Sequence, residues 1–203
     1  MQRDAEKSKQ RILAAAEQEF ADKGLFGARV DEIAAAAQIN KRMIYAYFGD
    51  KEGLYQQVLS QAFLRMEAVE QELVALRYTG KELVVKIIGA YFDFLAKDTA
   101  FVNLLMWENL NQGRYIQNLS SERMERGTIH YFVEELENGR QDGTFRTEID
   151  PWHTALSLIT TCFSNFSNRY TLSRLFRADL SDTDMIRQRK QHTIDIMLAY
   201  LCR

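Results

Sequence analysis

A single proline, Pro151, in a chain of 203 residues is the feature that most limits how this sequence can fold. Proline and glycine are the residues that most strongly interrupt regular structure, and the chain contains only ten glycines. So few interruptions favour long helices over an architecture of many short strands and turns. Because 46% of the residues are hydrophobic, the chain can also bury a substantial core. We therefore predict an all-α fold.

Apolar residues recur at helical spacing in nine segments of the chain. The predicted helices are 8–23, 30–37, 41–47, 51–76, 81–97, 100–111, 121–138, 151–176 and 183–201. Residues that favour helix N-termini precede several of them. The predicted caps are Asn40, Asp50, Asp150 with Pro151, and Ser181 with Asp184. Residues 139–146 contain two glycines and are predicted to form a loop.

Several classes of protein are disfavoured by composition. No stretch is apolar enough to span a membrane, and the first residues are too polar for a signal peptide, so we expect a soluble, cytoplasmic protein. Neither the cysteines nor the histidines show metal-site spacing. These residues are Cys162, Cys202, His130, His153 and His192. Since no catalytic motif is visible either, we predict no metal, no cofactor and no enzymatic activity, with Cys162 buried as a small hydrophobic residue.

The charge of the chain does not by itself indicate a nucleic-acid partner. The net charge is −2, and residues 1–55 contain nine basic and nine acidic side chains. A DNA-binding function would therefore require basic residues that are gathered on one face of the fold.

Residues 30–47 provide such a face. The segments 30–37 and 41–47 are separated by three residues, which is the spacing of a DNA-binding helix-turn-helix. In that motif the second helix lies in the major groove, where arginine can pair with guanine and alanine or methionine can contact the thymine methyl group. The predicted DNA-contacting residues are Arg29, Lys41, Arg42, Met43, Tyr45, Ala46, Tyr47 and Lys51. The alternative is a pair of bundle helices whose basic residues are simply solvated.

Around this motif the sequence resembles the tetracycline-repressor (TetR) family of bacterial regulators, over about residues 8–58. The matching positions are Gly24, Val30, Ile33-Ala34, Ala37, Ile39, Tyr45, Phe48, Lys51-Glu52 and Leu54-Tyr55. The resemblance implies that the first three helices bind DNA, and that the remaining helices bind a small effector and form a dimer. It also implies repression that the effector relieves. Positions that the family commonly uses for bases or phosphates are occupied here by Lys41, Arg42, Tyr45, Tyr47 and Lys51.

The sequence departs from the family pattern at four positions. Arg29 stands where a serine or threonine commonly caps the second helix, and Asn40 replaces the usual cap of the third. Gln38 replaces the usual turn glycine, which implies backbone strain if that residue must be left-handed. Ala46 replaces an aromatic or polar residue. Operator specificity therefore cannot be copied from a relative.

The last two predicted helices are rich in apolar residues. By resemblance to the family, they are expected to pair with their copies in a four-helix dimer interface. The predicted interface residues are Leu158, Cys162, Phe163, Phe166, Ile194, Met197, Leu198 and Leu201. The alternative is that both helices complete the core of the monomer.

An effector pocket is predicted among helices 81–97, 100–111, 121–138 and 151–176. The predicted lining mixes aromatic side chains with polar ones, as ligand pockets do. Its members are Tyr91, Phe94, Trp107, Glu108, Asn111, Tyr131 and Asn165. The alternative for each aromatic residue is ordinary core packing, and Glu108 is either a contact for a cationic ligand or a surface residue.

These interpretations predict a helix-turn-helix DNA-binding domain in residues 1–50, joined through a long helix to an effector-binding and dimerisation bundle in residues 51–203. The expected function is sequence-specific repression. A homodimer would bind a palindromic DNA operator and a small-molecule effector would release it. The alternative is a DNA-binding factor that is independent of effectors or regulated by another protein.

Overall fold

The computed structural model describes residues 2–118 and 128–202, and the regular elements within these ranges are all helical. The first group of helices is α1 (Gln2–Gly27), α2 (Val30–Ala37), α3 (Lys41–Phe48), α4 (Lys51–Ala75), α5 (Gly80–Lys97) and α6 (Thr99–Leu110), followed by a short 3₁₀ helix at Ile116–Asn118. The second group is α7 (Thr128–Asp142), α8 (Pro151–Ser167), α9 (Arg169–Phe176) and α10 (Thr183–Leu201). The predicted all-α fold is confirmed.

Three of the predicted helix caps are confirmed by their hydrogen bonds. The Asn40 side chain accepts from the amide of Arg42 at 2.9 Å, and Asp50 accepts from Gly53 at 2.7 Å. Asp150 accepts from the amide of His153 at 2.8 Å. Each side chain thereby satisfies an amide that has no partner within its own helix.

The predicted cap of the last helix is wrong by one residue. Asp182, and not Ser181, lies at the N-cap of α10, where its carboxylate accepts from the amides of Asp184 and Met185, each at 3.0 Å. A carboxylate is favoured there over a hydroxyl because it also interacts with the positive end of the helix dipole.

The second half of the chain departs from prediction at two further places. The single helix predicted for 151–176 is divided at Asn168 into α8 and α9. The loop predicted to begin at Gly139 begins later, because α7 continues to Asp142. Gly139 lies inside that helix, where a side chain would meet the buried ring of Phe145. Residues 121–127 of the predicted helix 121–138 lie outside the described residues.

The described residues form two compact units. Unit 1 contains the residues up to Arg65 together with those from Thr99 to 118, and α1 packs on both α2 and α6. Its largest fully buried side chains include Ile12, Phe20, Ile33, Ile44 and Tyr55. This division differs from the predicted boundary at residue 50, because α6 and the first part of α4 join the N-terminal helices.

Unit 2 contains residues 66–98 and 128–202. Its central helix is α5, which packs against α8 and α10. The rings of Phe92 and Phe166 meet edge to face, with their centroids 5.5 Å apart. Cys162 is fully buried as predicted, and burial raises the pKa of its thiol to about 12.

Over the described ranges, no helix has the length and apolar character that crossing a membrane requires. The same residues contain no cluster of three or more histidine, cysteine or acidic side chains that could hold a metal ion.

Candidate nucleic-acid interface

The turn that joins α2 to α3 has the conformation that the sequence predicts. Gln38 is left-handed, with φ 54° and ψ 50°, although it carries a side chain. Arg11 of α1 supports this turn, because its guanidinium donates to the carbonyl oxygens of Ala37 and Gln38. A positive charge at the C-terminal end of α2 also suits the helix dipole. Sequence reasoning missed Arg11, whose only signal is a basic residue on the polar side of α1.

The start of α2 is capped from another helix. Arg29 occupies the N-cap position without a side-chain hydrogen bond, and the Glu19 carboxylate accepts from the Arg29 amide at 3.1 Å. Burial alone would raise the pKa of Glu19, but hydrogen bonds from Lys23 and the Arg29 amide lower it below its ordinary value. The Arg29 side chain is exposed and free to serve another role.

Helix α3 has one buried face and one open face. Ile44 is fully buried, whereas Arg42, Tyr45 and Ala46 are exposed. Met43 is half-buried beside them. The exposed set combines a guanidinium, an aromatic ring and a methyl group on adjacent turns, which is a chemistry suited to the edges of DNA bases.

Charged partners flank this open face. The Lys41 ammonium lies 2.8 Å from the Asp31 carboxylate, and this hydrogen bond raises the pKa of Lys41. On the other side, the Lys9 ammonium lies 5.6 Å from the centre of the half-buried Tyr47 ring. Lys9 was not among the predicted DNA-contacting residues, because a lysine on the first helix gives no local signal of its proximity to α3.

Lys51 is held by backbone groups within unit 1. Its ammonium donates to the carbonyl oxygen of Ala28 at 2.7 Å and approaches that of Phe26 at 3.5 Å. The side chain thus ties the segment between α1 and α2 to the first turn of α4. In this position it stabilises the unit, in addition to the phosphate contact that its sequence position predicts.

We expect Lys51→Ala to lower the free energy of unfolding by about 1–2 kcal/mol, because a charged hydrogen bond to a backbone carbonyl is lost. Urea denaturation measures this change. Lys7→Ala removes an exposed lysine of α1 and is the matched control, for which we expect a change near zero. Equal stabilities of the two variants would contradict a stabilising role for the hydrogen bond between Lys51 and the Ala28 carbonyl oxygen.

The residues predicted to line an effector pocket are divided between the two units. Trp107, Glu108 and Asn111 belong to unit 1. The Trp107 indole donates to the carbonyl oxygen of Ala21 at 3.3 Å, and its ring lies against Gly24. This aromatic residue therefore completes the packing of α6 on α1.

Glu108 is buried, so the alternative of a surface residue is wrong. It is 1% exposed, and its carboxylate accepts from the amides of Tyr115 at 3.1 Å and Ile116 at 3.0 Å. It thereby anchors the turn that follows α6. Burial, followed by the neighbouring Glu108 carboxylate, raises the pKa of Tyr55, whose ring meets Tyr115 at 5.3 Å.

The other four predicted lining residues, Tyr91, Phe94, Tyr131 and Asn165, lie in unit 2. Hydrogen bonds within the protein hold three of these side chains. Tyr91 donates to Glu70 at 2.6 Å, Tyr131 donates to the carbonyl oxygen of Tyr78 at 2.9 Å, and Asn165 accepts from Arg189 at 3.1 Å. Burial, and then the Glu70 charge, raise the pKa of Tyr91 well above its ordinary value. The structure does not gather the seven residues into a single lining.

Most of the predicted interface residues lie in the core of unit 2. Six of the eight are buried, namely Leu158, Cys162, Phe166, Ile194, Met197 and Leu201, so they are not available to a partner subunit. Phe163 and Leu198 are half-buried. Within the single chain these six residues pack in the core, as the alternative expects. The apolar side chains that α8 and α10 expose are instead Trp152, Leu156, Ile196 and Tyr200.

Two family models match this chain, one in its N-terminal part and one in its C-terminal part. Residues 12–58 match the family model described as bacterial regulatory proteins, tetR family, and residues 81–197 match that described as tetracyclin repressor-like, C-terminal domain. The chain is 31% identical to the HTH-type transcriptional repressor NicS of Pseudomonas putida, over 88% of this chain and 84% of that protein. It is 34% identical to the HTH-type transcriptional repressor SCO4008 of Streptomyces coelicolor, over 72% of each.

A solved structure supports the fold independently of sequence. AibR in complex with isovaleryl coenzyme A and operator DNA superimposes with a TM-score of 0.73, covering 93% of this chain and 97% of that one, at 16% identity. The helical arrangement is therefore shared even where the sequences have diverged. The chain belongs to the TetR family of bacterial transcriptional regulators.

Proposed function

We propose that this regulator is a homodimeric repressor that binds a palindromic operator through α3 and is released from it by a small molecule. The observation that carries the proposal is the open face of α3, where Arg42, Tyr45 and Ala46 are exposed beside the buried Ile44. Two relatives, NicS and SCO4008, are named as repressors. The AibR complex holds both operator DNA and an acyl coenzyme A, which supports a response to a ligand.

We assign separate roles to the residues around α3. Arg42 reads a guanine through two hydrogen bonds, and Ala46 and Met43 contact thymine methyl groups. Tyr45 lies beside Arg42 and contacts the neighbouring base or sugar. The groups at the edge of the face position the helix on phosphates and carry no sequence information. This positioning set is Lys9, Arg29, Lys41, Tyr47 and Lys51.

The proposed dimer uses the outer faces of α8 and α10. Trp152 and Leu156 of α8 are 59% and 45% exposed, and Ile196 and Tyr200 of α10 are 54% and 49% exposed. Large apolar side chains at helical spacing on two neighbouring helices are typical of a surface that a partner covers. A two-fold axis through this surface would present two copies of α3 to the DNA.

The proposed functions are divided between two groups of helices. Helices α1 to α3 bind DNA, and the remaining helices carry the dimer surface and the effector site. Helix α4 is a single helix from Lys51 to Ala75, and its residues are divided between unit 1 and unit 2 at Arg65. A continuous helix therefore connects the residues assigned to the two functions.

The reading role of Arg42 is tested by substitution. We expect Arg42→Ala to cost about 1–3 kcal/mol at one base pair of each half-site, because a bidentate contact to guanine is lost. The measurement is the affinity for the operator and for operators that are changed at single base pairs. The variant should bind the cognate and the changed sequence equally well at that position.

Arg29→Ala is the matched control, since it removes another exposed arginine from the same unit. We expect it to weaken all sequences by a similar factor, because phosphate contacts do not distinguish bases. A loss of the same size on every sequence for both variants would show that Arg42 does not read a base.

A further inference from the structure

A groove of about 430 Å³ lies within unit 2, between the second half of α4, α5 and α10. The larger part of its exposed lining is apolar. The apolar side chains are Val69 and Leu73 of α4, Leu76 just after it, Val85 and Ala90 of α5, and Ile194 of α10. None of the seven residues predicted to line an effector pocket borders this groove, and α10, which forms one wall, was not among the predicted pocket helices.

Gly89 adds no side chain to the groove that it borders. It lies in the interior of α5 and borders the groove, and a β-carbon at this position would meet no atom within 4 Å. A glycine in the interior of a helix costs about 1 kcal/mol relative to alanine. Neither crowding by neighbouring atoms nor a left-handed backbone requires glycine at this position. The space that a side chain would occupy is part of the groove.

The charged groups around the groove balance one another. Lys86 and Lys190 are opposed by Glu72 and Asp93, so the lining has no net charge. The Lys190 ammonium lies 2.7 Å from the Asp93 carboxylate, and the Lys86 ammonium lies 5.1 Å from the centre of the Tyr78 ring. With no net charge in the lining, the groove has no excess charge that would attract a charged ligand, and an uncharged ligand leaves the Lys190–Asp93 pair in place.

The size of the groove also restricts its occupant. Twelve residues line it, whereas a stable protein interface takes about 20–30 residues from each side. Its volume falls within the range of small-molecule sites, which is about 300–1,000 Å³. The groove is therefore matched to a small molecule and is too small for a helix pair or a second subunit.

We propose that this groove binds an uncharged, mostly apolar small molecule and is the effector site of the regulator. The proposal rests on the proposed function, in which a ligand controls DNA binding. Helix α4 supplies one wall of the groove and begins at Lys51, next to α3 in the chain. An effector acts on DNA binding by favouring one position of this helix over another, through its differential affinity for the two states.

The test uses N-phenyl-1-naphthylamine, a neutral three-ring probe whose fluorescence rises in apolar surroundings. We expect the wild-type protein to bind it. Gly89→Leu should weaken binding by about tenfold or more, because a β-carbon at this position meets no atom within 4 Å and the larger side chain takes up volume of the groove that it borders. Gly89→Ala is the matched control and should bind within about twofold of the wild type, since one methyl group fills little of the volume. Helical circular dichroism confirms that both variants are folded.

The anilinonaphthalene sulfonate analogue has the same rings and one negative charge. Binding at the groove is the part of the fluorescence signal that is lost in Gly89→Leu. For this part we expect the sulfonate to bind no more tightly than the neutral probe. Binding by the sulfonate that is tenfold tighter would overturn the assignment of an uncharged ligand. Absence of wild-type binding, or unchanged binding by Gly89→Leu, would overturn the groove as a site.

Operator affinity is measured separately by fluorescence anisotropy, with and without the neutral probe. The proposal expects the probe to weaken operator binding by the wild type and not by Gly89→Leu. Probe binding at the groove without any change in operator affinity would overturn its role as an effector site. If Gly89→Leu binds the operator normally while the probe finds no site, the groove proposal fails and the DNA-binding function stands.

Discussion

Replacing Leu156 and Ile196 together by glutamate is expected to convert the protein to a monomer and to abolish operator binding at concentrations at which the wild type is bound. Both side chains are about half exposed, at 45% and 54%, so the single subunit tolerates a charge at either position. In the proposed dimer the same charges would be buried without partners, at a cost of several kcal/mol. Light scattering should therefore report a mass near 23.6 kDa, with helical circular dichroism retained.

Leu110→Glu is the matched control for this variant. Leu110 is 72% exposed at the end of α6. It belongs to unit 1, whereas α8 and α10 belong to unit 2. We expect it to leave both the mass and the operator affinity unchanged. If the double variant stays dimeric and binds operator, the subunits associate through a different surface.

Gly24→Ala is expected to lower the free energy of unfolding by about 3 kcal/mol. Gly24 interrupts α1 with φ 66° and ψ 175°, a backbone conformation that only glycine adopts without strain. A β-carbon there would also lie 2.6 Å from the Trp107 ring, which is closer than atoms can approach. Strain and overpacking each cost about 1–3 kcal/mol, and urea denaturation measures their sum.

Two further variants separate these causes. Gly27→Ala lies three residues away, where the nearest atom to a new β-carbon is the Lys23 side chain at 3.3 Å, and we expect little change in stability. In a Trp107→Leu background the smaller side chain should relieve the steric part of the Gly24→Ala effect and leave the backbone strain. Wild-type stability of Gly24→Ala would contradict the observed bend of α1.

The helix-turn-helix could be predicted from sequence because its determinants are local. The spacing of Ile33, Ala37 and Ile44 identifies the faces of two short helices, and Asn40 marks the start of the second. The left-handed backbone at Gln38 is implied only by the resemblance to the family, which commonly has a glycine at this position. What the sequence could not supply is the contribution of α1, because Lys9 and Arg11 reach α3 and the turn only through tertiary packing.

The surroundings of the predicted pocket residues were harder to predict, because periodicity identifies an apolar face of a helix but not the element that packs against it. Helix α6 is apolar around much of its surface, and only the fold shows that Trp107 packs on α1 while Glu108 closes a turn. Gly89 carried no visible signal, since an isolated glycine in a helical pattern is also compatible with ordinary helix packing.

The buried face of the last helices was hard to predict for a related reason. Helices α8 and α10 carry apolar residues on two faces, and the sequence pattern does not say which face is inside. In the structure Leu158 and Leu201 are fully buried, whereas Leu156 and Ile196 point outward. Neighbouring positions in the sequence thus have opposite roles, and only the packing of α5 against both helices distinguishes them.

The most direct test of the account is selection of bound DNA from a random pool by the wild-type protein at fixed salt. Two subunits that each present α3 should recover a palindrome whose half-sites are centred about one helical turn, or a small multiple of it, apart. A sequence without two-fold symmetry, or a pool that shows no enrichment, would contradict a dimeric regulator that reads DNA through α3.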